Sequence, residues 1–340
     1  MKTIWKKAAT LLTVAALAAT TVAGCGIKND EEVAKIGDAT LTAGVANFYA
    51  RYQAAGMETY YGSYYGDDMW TQEYTEGKTM EEEIKTNVMD SLQELYLLDA
   101  HKDEYKVSLS DDEMKAIEKA ATKFDKANKD KVKNKISGDK EVVTEVLRLL
   151  TVQSKMREAM IADVDREVSD DEAAQKSMQY VAFSFTKTDA DGNSVDLTDE
   201  EKATLKKDAE SFAKEAKKAK DFEALAKKKN LTAETATFDS ESTTPAKELV
   251  EAADKLKKGK TTDMVETESG YYVAKLTSTF DREATDKKKE EIISQRESDR
   301  YSELLEEWKK ATEIKVYDKV WDKISFQDLK VEMKVKETEK

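Results

Sequence analysis

Cysteine, histidine and proline each occur once in the 340 residues. A single thiol, Cys25, excludes an internal disulfide. A single imidazole, His101, leaves no second metal ligand at helical spacing. Its place near a helix end makes it a partner of the helix dipole. No metal and no cofactor are expected. One proline, Pro245, leaves most of the chain free to form regular structure. Positive charge is in deficit, 56 Lys and Arg against 70 Asp and Glu, for a net charge of −14. A surface of that sign argues against nucleic acid as a partner, because phosphates must be neutralised by Lys and Arg.

What is present begins with a leader. Lys2, Lys6 and Lys7 precede an apolar, small-residue run from Ala8 to Ala23, too short and weakly flanked for a stable membrane span. The run ends in Val22-Ala23-Gly24-Cys25, which resembles the lipobox of bacterial lipoproteins. The resemblance implies removal of residues 1–24, thioether lipidation of Cys25 and acylation of its amine, palmitate included. Cys25 would then hold the protein to membrane lipid at the extracytoplasmic face of the cell membrane, since two or more acyl chains give stable anchoring. The alternative is an ordinary secretory peptide with a stray cysteine. Loss of the three lysines takes the net charge to −17. Residues 25–32 form a polar tether.

Residues 33–172 read as a helical domain, long enough with the rest for two domains. Val33–Thr42 has a hairpin pattern with Gly37-Asp38 at the bend, and a helix follows over about 43–55. Tyr60–Trp70 breaks that pattern. Its aromatics Tyr61, Tyr64, Tyr65 and Trp70 either cover the core from a loop or offer a surface to unfolded chains. Thr79-Met80-Glu81-Glu82 and Ser110-Asp111-Asp112-Glu113 are capping-box signatures. The first opens a helix with Ile84, Val88, Leu92, Leu95 and Leu98 on one stripe. The Lys-rich stretch 123–135 reads as a solvated helix end or loop. Another helix spans about 139–164.

Residues 173–280 change character. Met178–Phe185 alternates, with Tyr180, Ala182 and Ser184 opposing Val181, Phe183 and Phe185, as in a strand. Asp189–Asn193 is a turn that lacks the spacing of a calcium loop. Thr198 caps a Lys/Glu/Ala-rich helix to about Lys220. Two short helices and a hairpin turning at Glu268-Ser269-Gly270 complete a β-α-α-β-α-β-β order. Over 281–330 one long helix from Arg282 leads to a strand at Ile314–Tyr317 and a terminal helical turn. The remainder, 331–340, reads as a charged tail that frays.

Phe-x-x-Leu-Ala at 222–226, Ala-Ala-x-x-Leu-x-x-Gly at 252–259 and Gly-Tyr-x-Val-x-Lys-Leu at 270–276 resemble the second half of a parvulin-type prolyl isomerase domain. The hairpin at 33–42 and the helix starts Val107-Ser108-Leu109-Ser110-Asp111-Asp112-Glu113 and Val168-Ser169-Asp170-Asp171-Glu172 resemble PrsA- and SurA-type foldases. The resemblance implies an α+β protein. A discontinuous, mostly helical chaperone domain would carry an inserted parvulin-like α/β domain, with the helix of 281–330 returning to the first domain. It also implies a foldase whose partners are unfolded or newly secreted polypeptides.

Prolyl isomerisation needs no nucleophile. A barrier of ~18–20 kcal/mol is lowered by an apolar pocket and by hydrogen bonds to the twisted amide. Parvulins usually supply two histidines, an acid or thiol, and an apolar pocket. Here the two histidine positions fall on Tyr180 and Tyr272, and no residue matches the acid or thiol. The pocket positions fall near Pro245 and Leu249, so Phe183, Phe238 and Leu249 are the groove candidates. Tyrosine both donates and accepts hydrogen bonds. The pair therefore either replaces the histidines or packs in a domain that has lost catalysis. Three functions remain open: a prolyl isomerase, a non-catalytic chaperone on the same scaffold, and a solute-binding lipoprotein, although that last class normally repeats β-α units around a cleft.

Overall fold

A computed structural model describes residues 27–329, Leu17–Ala19 and Val331–Met333. Cys25 and the cleavage position before it lie outside the described residues. The chain divides into two compact units. The first comprises residues up to Val164 and from Ser298 onward, and the second is Asp165–Glu297.

The first unit contains β1 (Leu17–Ala19), β2 (Glu32–Ile36), β3 (Ala39–Thr42), α1 (Ala43–Tyr65), β4 (Glu73–Thr75), β5 (Lys78–Thr79), α2 (Met80–His101), α3 (Asp111–Ala127), α4 (Asp130–Ile136) and α5 (Lys140–Met160). The second contains β6 (Lys176–Ser184), β7 (Thr186–Thr188), β8 (Ser194–Asp196), α6 (Asp199–Ala216), α7 (Phe222–Lys228), β9 (Glu234–Phe238), α8 (Lys247–Asp254), β10 (Val265–Glu266) and β11 (Gly270–Ser278). Helix α9 (Arg282–Ala311) starts in the second unit and ends in the first. After it come β12 (Ile314–Val316), α10 (Asp318–Trp321) and β13 (Val331–Met333).

Local chemistry sets the helix starts of the first unit. Thr79 and Ser110 each accept from the backbone N–H three residues on, while Glu82 and Glu113 reach back to the cap N–H, so both capping boxes close. The hairpin β2–β3 turns at Gly37, whose φ of +57° suits glycine. Strand β12 adds to its other edge. Leu92, Leu95 and Leu98 of α2 share a buried core with Val146, Leu149, Val152 and Met156 of α5 and with Tyr301, Leu304 and Trp308 of α9. His101 stacks flat on Trp308 at 4.2 Å, and its Nδ1 lies 2.8 Å from Glu104. The lone histidine is thus held by a ring and a carboxylate.

Four expectations need correction here. Helix α1 does not stop near residue 55 but runs to Tyr65, and Gly66 ends it at φ +77°. The aromatic stretch is therefore split. Tyr61 and Tyr64 project to solvent, while Tyr65 packs partly on the core. Trp70 is buried, edge-on to Phe326 at 4.9 Å, and donates from Nε1 to Glu58 at 2.7 Å, so it is no open client surface. The Lys-rich stretch is not wholly solvated. Val132, Lys135 and Ile136 of α4 all face inward, because residues three and four apart share a helix face. The tail is not charged coil throughout, since β13 forms a strand with Val331 fully buried. Finally, Leu17–Ala19, read as leader and outside the fold, pairs antiparallel with β13.

The second unit is built on a four-stranded antiparallel sheet in the order β10-β11-β6-β9. Helices α6 and α7 bury one face through Phe212, Ala213, Phe222 and Ala226. Helix α8 covers the other through Leu249, Val250 and Ala253. The hairpin β7–β8 closes at Asp189, whose carboxylate accepts from the N–H groups of Asp191 and Asn193 at 2.9 and 2.8 Å. That loop is a turn held by its own aspartate. Thr198 closes a third capping box at the start of α6.

Candidate functional site

Antiparallel pairing sets Tyr180 of β6 opposite Ala274, two residues along β11 from Tyr272. Diagonal partners of this kind share a face of the sheet. The two rings are 6.2 Å apart and tilted by 39°. On the other side of β6, Tyr180 pairs with Glu234 of β9. Its hydroxyl donates to Glu234 Oε2 at 2.5 Å. Burial, and then the bond and charge of Glu234, push the Tyr180 hydroxyl up to about 12. The phenol therefore stays protonated, with its proton directed at the carboxylate. The Tyr272 hydroxyl lies 3.2 Å from Ser269 Oγ, where either atom can donate. An acid, unassigned in the sequence, is thus supplied by Glu234. Finding it requires the sheet order, because 54 residues separate it from Tyr180.

Phe238 and Leu249 lie on the same face as the tyrosines, packed with Met178, Val250, Ala253, Ala274 and Leu276. Both are fully buried. They form the core between the sheet and α8, not an open wall. Phe183 does not belong with them. It points to the opposite face, where it meets Phe212 at 5.9 Å. The reason is parity, since successive strand residues alternate faces and 183 is odd where 180 is even. Tyr271 is on the Phe183 side for the same reason, edge-on to Phe185 at 4.9 Å. The exposed Tyr61 and Tyr64 lie in the first unit and Tyr180 and Tyr272 in the second, so the sequence-derived candidates fall on separate bodies. Pro245, just before α8, is half-buried.

One more feature positions the pair. A Cβ on Gly270 would stand 2.3 Å from Phe183 O, so only glycine lets β11 approach β6 this closely.

A four-stranded antiparallel sheet, helices on both faces and a hydroxyl pair beside a carboxylate form the second unit. Residues 189–292 match the PPIC-type PPIASE domain. That defines the class, a parvulin-type domain, within an α+β chain. Foldase protein PrsA of Clostridium botulinum (strain Hall, type A) is 30% identical over 276 residues, covering 75% of this chain and 79% of that protein. The PrsA of strain 657, type Ba4, is 29% identical over the same span. Among solved structures, foldase protein PrsA from Streptococcus pneumoniae covers 74% of this chain and 97% of its own, at 19% identity and a TM-score of 0.32. PrsA from Bacillus subtilis covers 80% and 96%, at 19% identity and a TM-score of 0.23. The chain belongs to the PrsA foldase family.

Proposed function

We propose that this protein is a foldase anchored by lipid on Cys25 at the extracytoplasmic face of the membrane. Its clients are newly exported polypeptides, and its parvulin-like unit acts as a binding scaffold without accelerating prolyl isomerisation. One observation carries the last point. The Tyr180 proton is committed to Glu234, which leaves that hydroxyl only acceptor capacity toward a substrate carbonyl. A twisting prolyl amide instead needs donors placed where its charge develops. Burial of Phe238 and Leu249 beneath α8 also closes the apolar positions that would hold a proline ring. Anchoring rests on the lipobox-like Val22-Ala23-Gly24-Cys25.

A second reading has its own support. Tyr180 and Tyr272 share a face, and when Ser269 donates their shared bond the Tyr272 hydroxyl can present its own proton. On that reading the unit is an isomerase with tyrosines in place of histidines. Isomerisation of short Xaa-Pro peptides by the chain from residue 25, with Cys25→Ser, separates the two. No acceleration, with suppression of aggregation of an unfolded client, supports the scaffold. Acceleration lost in Tyr272→Phe overturns it. Anchoring fails if the wild-type protein and Cys25→Ser partition alike between membrane and soluble fractions.

A further inference from the structure

The segment Leu17–Ala19 is seated in a groove of the first unit. Helix α1 packs against both β13 and α4, with Gly56 facing Met333. Strand β13 makes one wall. The Met333 N–H donates to Thr59 Oγ1 at 2.8 Å, and its methyl end lies against Gly56. Helix α4 makes the other wall, beside β1. Buried Arg51 of α1 donates to Lys135 O of α4 at 3.0 Å and pairs with Asp328, ahead of β13, at 3.1 Å.

The groove's chemistry follows from the backbone. N–H groups alternate in direction along a strand. With the Met333 N–H spent on Thr59, that of Glu332 faces the other edge, where Ala18 is its register partner. Among the described residues β1 is the only strand paired with β13. A chain without β1 leaves that edge open, and an open edge accepts any extended segment whose side chains fit. The present occupant is Leu-Ala-Ala, apolar and uncharged.

We infer that the groove between α1, α4 and β13 is a strand-accepting site for extended apolar polypeptide segments. It is filled by the leader in the precursor and open to clients in the processed chain. The inference rests on the foldase reading and on removal of residues 1–24. Main-chain pairing suits clients of many sequences, since it reads backbone and only the size of side chains.

The probe is a fluorescent peptide of residues 14–22, Val-Ala-Ala-Leu-Ala-Ala-Thr-Thr-Val. Its binding to the chain from residue 25 with Cys25→Ser is followed by anisotropy. Saturable one-to-one binding is expected, weakened at least tenfold in the precursor that carries its own leader. N-methylation of the peptide at Ala18, and Glu332→Pro in the protein, should each reduce it at least tenfold. The N-methyl peptide leaves the protein unaltered, so the result does not depend on how Glu332→Pro folds. Absent binding, or binding indifferent to N-methylation, overturns the site. Aggregation of an unfolded client is measured in parallel. Suppression without peptide binding leaves the foldase reading standing and removes the groove. Peptide binding without suppression retains the groove as a leader site, but removes the client assignment and the foldase reading with it.

Discussion

Glu81 pins the C-terminal segment of the first unit, and its removal should be felt there alone. The residue sits in the first turn of α2, nearly buried. Its Oε1 accepts from the Phe326 N–H at 2.7 Å and its Oε2 from Gln327 Nε2 at 2.8 Å. Phe326 is fully buried, so Glu81→Ala strands a backbone donor away from water. A hydrogen bond to a charged group contributes about 1.5–3 kcal/mol net, and an orphaned buried donor costs about 1–3 kcal/mol. These overlap, and relief of a desolvated carboxylate offsets part. The expected loss is therefore about 2–4 kcal/mol. Glu81→Gln keeps an acceptor for Phe326 and should lose only about 1 kcal/mol. Trp70, Trp308 and Trp321 all lie in the first unit, and Trp70 meets Phe326 edge-on at 4.9 Å. Tryptophan fluorescence in urea therefore reads this unit and the docking of this segment. A Glu81→Ala midpoint within error of wild type, or equal shifts for the two variants, refutes the reasoning.

Other consequences are as direct. Gly270→Ala places a methyl group against Phe183 O, and overpacking of this kind costs about 1–3 kcal/mol. Faster hydrogen exchange across β6 and β11 would register it, with the tryptophan transition unchanged. The raised Tyr180 pKa gives a stability contribution fully present below pH 10 and lost as the pH rises through about 12. Wild-type minus Tyr180→Phe absorbance at 295 nm should show that phenolate step near 12, and Glu234→Gln should lower it. A step at or below 10 would contradict the Glu234 contact. Ser110→Ala opens the capping box of α3 and should destabilise the first unit by about 1 kcal/mol. An unchanged fluorescence midpoint would mean that the cap is redundant.

What could be read in the sequence was local. Thr79, Ser110 and Thr198 each stand three residues before a glutamate, and a capping box needs nothing else. The strand Lys176–Ser184 announced itself by alternation. That alternation also placed Phe183 opposite Tyr180, so grouping the two in one groove ran against a signal already present. The extent of α1 was hidden because tyrosine and glycine are poor helix formers, and tertiary packing of Tyr65 outweighed propensity. Strand β13 was hidden for another reason. Its anchor is Thr59, 274 residues away, and nothing near Val331 marks it as buried. Lys135 is similar, since a lysine is read as exposed until its neighbours Val132 and Ile136 turn inward.

The second unit shows how far one small residue controls a distant constellation. In an antiparallel pair a slip of one residue exchanges the two faces of a strand. Tyr272 would then join the α6 side, and Tyr271 would stand beside Tyr180. Gly270 opposes this slip, because its missing Cβ permits the contact with Phe183 O that sets Gly270 against Ser184. From that register follow Tyr272 against Ala182 and Ala274 against Tyr180. The pairing of β6 with β9 then delivers Glu234 to the Tyr180 hydroxyl. Tyrosine identity alone therefore does not make the site. It exists only while Gly270 holds the register, and a Gly270 variant that stays folded should lose the high Tyr180 titration together with the ring pair.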